Sequence, residues 1–220
     1  MKVNALHCLL ILIVGWGPCL GSAAETMDPL PAGNYTLDRS HASLIFRVDH
    51  LGFSMFTARF DQFDAQLAFD PRDMAASTVS ATVDARSIET GVPISEELNF
   101  NAMLRGGDWL DAESHPRMTF RSRSVEVVSA DQVRVHGDFT LRGITQPLTL
   151  DVTFNGGYAG HTMDPNARIG FSAQGSLKRS DYGIDFGIPE PGTTMGVSDQ
   201  VDIIIEAEFT GPAWEAEEKP

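Results

Sequence analysis

The sequence predicts an all-β protein, a single antiparallel barrel of about eight strands. Apolar residues recur with a period of two along most of the chain, and turn signals separate the runs at hairpin distances. One run also changes phase midway, as a strand does when it rounds a barrel corner. About 195 residues follow the leader described next, a comfortable size for one domain with a sizeable core and a small one for two.

Lys2 and His7, the apolar run from Cys8 to Val14, and the small residues Ser22, Ala23 and Ala24 have the layout of a secretory signal peptide, expected over residues 1–24. The run is well short of the ~20 residues that a membrane-spanning helix needs, and no later stretch comes close, so no spanning segment is expected. Cleavage after Ala24 removes both cysteines, Cys8 and Cys19, leaving no disulfide, thiol nucleophile or cysteine metal ligand. Residues 25–33 then read as a linker, and the barrel domain as 34–210.

Within the domain, Leu44, Phe46 and Val48 alternate with polar neighbours, and so do Val79, Ala81 and Val83. Val133, Val135, Gly137, Phe139 and Leu141 share one face of a further strand. Leu148, Leu150, Val152 and Phe154 share another, and Ile169, Phe171, Ala173, Gly175 and Leu177 a third. Val201, Ile203, Ile205, Ala207 and Phe209 close the series. Asp70-Pro71, Ala130-Asp131, Arg142-Gly143 and Asn155-Gly156-Gly157 supply turns between the runs. The phase break falls at Asp61-Gln62. Phe56, Ala58 and Phe60 precede it, Phe63, Ala65, Leu67 and Phe69 follow one residue out of step, and a bulge or sharp bend there would return both sets to one face. One short helix is expected from Ser95 to Leu104, capped by Ser95, with Glu96 and Glu97 in its first turn and Gly106-Gly107 beyond its end. It lies in a crossing between strands, where it would plug the barrel or cover it as a lid. Residues 211–220 lack an apolar period and are expected to fray as a flexible tail.

Without residues 1–24, fifteen basic residues stand against 30 acidic ones, a net charge of −15. Such a surface repels phosphate backbones and anionic headgroups, so no nucleic-acid partner is expected. The histidines His41, His50, His115, His136 and His161 stand in no pair at metal-ligand spacing, so no metal site is expected. No nucleophile elbow surrounds Ser43 or Ser54. No phosphate-cradling glycine loop precedes a helix, and no cofactor is expected. No motif therefore marks catalytic residues, and the sequence points away from an enzyme. What remains is apolar surface: 13 phenylalanines against three tyrosines, many on the same faces as glycine and alanine. Large and small side chains could interdigitate to fill a tapered core, or the small ones could leave a tunnel walled by aromatic rings; an eight-stranded barrel admits either.

Several motifs bear on that choice. Asp38, His41, Phe46, His50 and Gly52 in YTLDRSHASLIFRVDHLG are followed in order by LAFDP, SIETG, DWLDAESHPRMTFRS, GDFTLRGITQPLTLDV and RIGFSAQGSLKRSDYGI. Together they resemble the YceI-like family of lipocalin-like, polyisoprenoid-binding periplasmic proteins, over roughly Asn34 to Thr210. The resemblance implies a lipocalin-like barrel with a long apolar tunnel holding an isoprenoid, a quinone-like molecule or a fatty chain, a periplasmic location, and a possible homodimer. Phe46, Phe60, Phe120, Phe139 and Phe171 are then the expected tunnel wall. In the KRSDY run, Arg179 could face a ligand headgroup at the mouth, or Arg179 and Asp181 could pair with each other or with His41 to fix a turn. Two departures stand out: GVPISEELNFNAM lengthens the segment after SIETG, and Ala42 replaces the Ser or Thr common in the family. The expected function is a carrier that does no chemistry on its cargo. The alternatives are an enzyme acting on an isoprenoid or quinone precursor through His41, Asp38 or Asp181, and an interaction protein with a vestigial cavity.

Overall fold

The computed structural model describes residues 30–95 and 97–214. The expected leader, with Cys8 and Cys19, and the last six residues lie outside them. Ten strands form: β1 (Gly33–His50), β2 (Ser54–Phe60), β3 (Phe63–Phe69), β4 (Thr78–Asp84), β5 (Ile88–Glu89), β6 (Arg117–Val127), β7 (Gln132–Leu141), β8 (Ile144–Tyr158), β9 (Asn166–Lys178) and β10 (Val197–Ala213). One short helix, α1 (Phe100–Arg105), lies in the crossing from β5 to β6.

Neighbours along β1, β3, β4, β6, β7, β8, β9 and β10 pair antiparallel, and β10 pairs back onto β1, so eight strands close a ring. The other two are continuations. β2 runs on from β3 and pairs with the second half of β1, while β5 runs on from β4 and pairs with β2. Two staves are thus broken by corners, and the corners lean on each other. The Asp61 N–H donates to the Ser87 carbonyl at 3.1 Å, the Gln62 N–H to Ser87 Oγ at 3.0 Å, and the Asp84 N–H to the Gln62 carbonyl at 2.9 Å. The bend at Asp61-Gln62 does what the phase break requires: Phe56 and Phe60 before it, and Phe63, Ala65, Leu67 and Phe69 after it, all face the interior.

The helix differs from expectation. It begins at Phe100 and is capped by Asn99, whose side-chain oxygen accepts from the Ala102 N–H at 3.0 Å. Ser95 instead closes a turn of its own, its hydroxyl accepting from the Glu97 and Leu98 N–H groups and its own N–H donating to the Leu98 carbonyl. Two residues able to cap lie four apart, and the later one starts a helix that sends Phe100 and Leu104, one turn apart, against the core.

The described residues at the edges of the expected domain, Leu30 to Gly33 and Gly211 to Ala213, pack on the barrel. β10 continues through Gly211 and Pro212, because Gly211 presents no Cβ to the Tyr35 ring that lies on it. The Tyr35 hydroxyl donates to the Pro31 carbonyl at 2.7 Å, and Leu30 packs on the same cluster, so ordered packing extends from Leu30 to Ala213.

Candidate functional site

Inward positions of the strands enclose a cavity of about 610 Å³ lined almost wholly by carbon. Along the closing seam Phe46 stands opposite Ile203 and Leu44 opposite Ile205, and all four line it. Three buried clusters surround the space. One lies at the end near α1 (Phe60, Leu104, Met118, Tyr182, Ile184), one at the far end (Tyr35, Phe69, Ile169, Phe209), and one on the side wall (Phe120, Val133, Val135, Leu148, Leu150).

Every expected wall residue, Phe46, Phe60, Phe120, Phe139 and Phe171, lines the cavity. Phe56, Phe63, Phe69, Phe100 and Phe209 join them, so ten of the 13 phenylalanines are spent on this one wall. Phe56, Phe63, Phe69 and Phe209 were legible as inward-phase residues. Phe100 was not, because it reaches the wall from α1, where it meets Phe56 edge to face at 5.6 Å.

The small residues divide. An ideal Cβ on Gly137 would lie 2.5 Å from Phe120 Cζ, and one on Gly175 would lie 2.8 Å from Leu150 Cδ2. At these glycines a large neighbour fills the room, as the packed-core alternative has it. Ala65, Ala81, Ala173 and Ala207 border open space instead. The cavity reaches the surface at one end, where the inward-phase wall residues His50 and Ser54 and the crossing residue Leu98 are themselves exposed.

Arg179 lies at the cavity's end near α1, buried to 4% exposure. Its Nε donates to the Ser198 carbonyl at 2.9 Å, Nη1 to Ile184 and Phe186 at 3.1 and 2.7 Å, and Nη2 to Val197 at 2.7 Å, while the guanidinium sits 5.4 Å from the Trp109 ring centre. Burial lowers its affinity for the proton, with Asp199 and Asp185 opposing that shift. The side chain is a structural staple that ties the 184–198 loop to the barrel. The expected pairing with Asp181 or His41 is not formed. Asp181 is exposed, and its main-chain carbonyl accepts from Gln146, while Ser180 bonds Asp199 through both its N–H and its hydroxyl at 2.9 Å.

His41 sits toward the opposite end of the seam, on the outer surface, its Nδ1 3.1 Å from Asp38 Oδ2 and 3.7 Å from Glu208. The Ser40 hydroxyl, His41 and Arg168 together hold the Asp38 carboxyl well below the usual carboxylate range. Asp38, His41 and Glu208 bring three potential metal-ligand atoms within 4.8 Å of one another, a convergence of β1 and β10 that spacing along the chain does not reveal. Arg168 already supplies the positive charge that Asp38 needs there. Neither Asp38, His41 nor Asp181 lines the cavity, so the groups the enzymatic alternative relies on do not face its interior.

The profile of the YceI-like domain matches residues 35–209. A UPF0312 protein of Vibrio cholerae is 34% identical over 193 residues, covering 86% of this chain and 94% of its own. Among solved structures, BcnA of Burkholderia cenocepacia superposes with a TM-score of 0.65 at 24% identity, covering 78% of this chain and 98% of its own. A polyisoprenoid-binding domain from Saccharophagus degradans does so with a TM-score of 0.56 at 17% identity, covering 81% and 98%. These two share the fold. With the profile spanning almost the whole ring of strands and the Vibrio relative aligned along nearly its full length, this chain belongs to the YceI-like family.

Proposed function

We propose that the protein is an exported carrier, working in the periplasm, that takes a polyisoprenoid, a quinone-like molecule or a fatty chain into its barrel. The observation that carries this reading is the cavity: about 610 Å³, ten phenylalanines in the wall, and side-chain carbon on nearly every side. Its volume lies within the ~300–1,000 Å³ usual for small-molecule sites. Each buried methylene of a cargo contributes up to ~0.8 kcal/mol before the cost of straightening the chain is subtracted, so a long flexible chain gains enough to be held. Export is supported by the composition of residues 1–24. The Saccharophagus domain, described as polyisoprenoid-binding, is an analogy of fold that points the same way.

Native mass spectrometry of the protein purified from its native cells tests the reading. A mass excess released by organic solvent and identified as a lipid is expected. Ala173→Phe, which places a ring where Ala173 now borders the void between Val152 and Ile205, should weaken uptake of a fluorescent fatty acid at least about tenfold while the barrel still folds. A protein that carries no lipid, together with uptake indifferent to that ring, would overturn it.

A further inference from the structure

Of the eleven large apolar side chains that the described residues expose, eight stand at one end of the barrel, so the exposure is a property of that end and not of the surface at large. The segments that carry them touch in a ring. The Leu51 N–H in the β1–β2 turn donates to the Gly196 carbonyl at 2.9 Å, Phe186 of the loop before β10 packs on Trp109 at 5.5 Å, and Phe56 packs on Phe100 of the crossing. The cavity comes to the surface inside this ring, at His50, Ser54 and Leu98. Four of the exposed side chains are loop tips: Phe53 at 81% exposure, Met195 at 70%, Ile94 at 66% and Phe186 at 59%. Separate points around an opening suit insertion among mobile molecules better than they suit a flat protein face. Between them stand exposed acidic groups, Glu97, Asp108, Asp185 and Glu190, which outnumber the exposed Arg105 and Arg117 at the same end.

We infer that this end docks on a zwitterionic lipid bilayer, with Phe53, Ile94, Phe186 and Met195 dipping among the headgroups around the cavity mouth. The outermost charge of a phosphatidylcholine surface is its ammonium group, which the acidic collar complements; an anionic surface repels the same collar. An apolar cargo then passes between bilayer and barrel without crossing water, a consequence that rests on the carrier reading above, whereas the docking itself does not.

Co-sedimentation of the purified protein with vesicles of pure phosphatidylcholine, and with vesicles containing phosphatidylglycerol, tests the inference alongside fluorescent fatty-acid uptake. The protein should bind the neutral vesicles, less well the anionic ones at low salt, and the deficit should shrink as salt is added. The double variant Phe53→Ser/Met195→Ser, altered only at tips that do not line the cavity, should bind neutral vesicles about tenfold or more weakly, with unchanged melting temperature and fatty-acid uptake. Uptake of fatty acid without binding to vesicles overturns docking and leaves the carrier reading standing; vesicle binding without uptake supports docking while the carrier reading fails. A double variant that binds like the parent also overturns docking. So does a parent that forms dimers, does not bind vesicles and becomes monomeric on the double substitution, in which case the occupant of this end is a second copy.

Discussion

Arg179 holds its charge inside the wall by giving four hydrogen bonds to main-chain carbonyls where the loop folds over the cavity. Arg179→Ala is expected to cost about 3–5 kcal/mol in urea unfolding, because four carbonyls at the edge of the core lose a charged donor at once. Arg179→Lys should recover only part of the loss, since an ammonium cannot span carbonyls set for a planar fork. The KRSDY run marks this residue as unusual in the sequence, where a ligand headgroup, Asp181 and His41 are the partners it suggests. Backbone carbonyls carry no signature in a residue string, which is why the staple was invisible there. The same holds for Asp38, His41 and Glu208: Glu208 comes from the far end of the chain, beside β1 only because the ring closes.

Strands were the most legible elements, because alternation follows directly from one face being buried and the other wet. Even the break at Asp61-Gln62 carried its structural meaning, since a one-residue slip with apolar residues on both sides admits little but a corner. Glycine positions were harder. Gly137 and Gly175 are compatible in sequence with either a filled core or open space, and the structure gives that space to Phe120 and Leu150 leaning across from neighbouring strands. A methyl group at Gly137 would collide with the Phe120 ring and the Arg121 carbonyl. Gly137→Ala should therefore lower stability by about 2–3 kcal/mol, measured by chemical denaturation, although alanine is apolar and small. The helix start was misplaced for a similar reason: Ser95 and Asn99 can both cap, and the contacts of Phe100 and Leu104 with the core, which decide between them, are long-range.

At the scale of the whole molecule, the seam between β1 and β10 closes the barrel, and Arg168 of β9 reaches past β10 to Asp38 of β1 while also holding Asp164. Both carboxyls lie below their ordinary range, Asp38 chiefly through the Ser40 hydroxyl and Asp164 through the Tyr158 hydroxyl, with Arg168 acting on each. A carboxyl whose folded pKa is depressed contributes stability that is complete above its unfolded value of about 3.9 and is lost as the pH falls through the folded one. Urea midpoints should thus be level between about pH 7 and 5 and drop below about pH 4, whereas Asp38→Asn should be less stable at pH 7 and converge on the parent in acid.

Period, turn chemistry and composition determined by themselves that this chain is an antiparallel β protein of about eight staves, with one short helix in a crossing and an acidic surface, because each of these follows from local geometry or from counting. The family motifs pointed to a cavity and named five of its wall residues. Only the tertiary structure decided which small residues border a void and which are filled, where the opening lies, and that the exposed apolar tips gather around it. Those are properties of which strands become neighbours when the ring closes, and a one-dimensional pattern that repeats every two residues is the same for a filled barrel as for a hollow one.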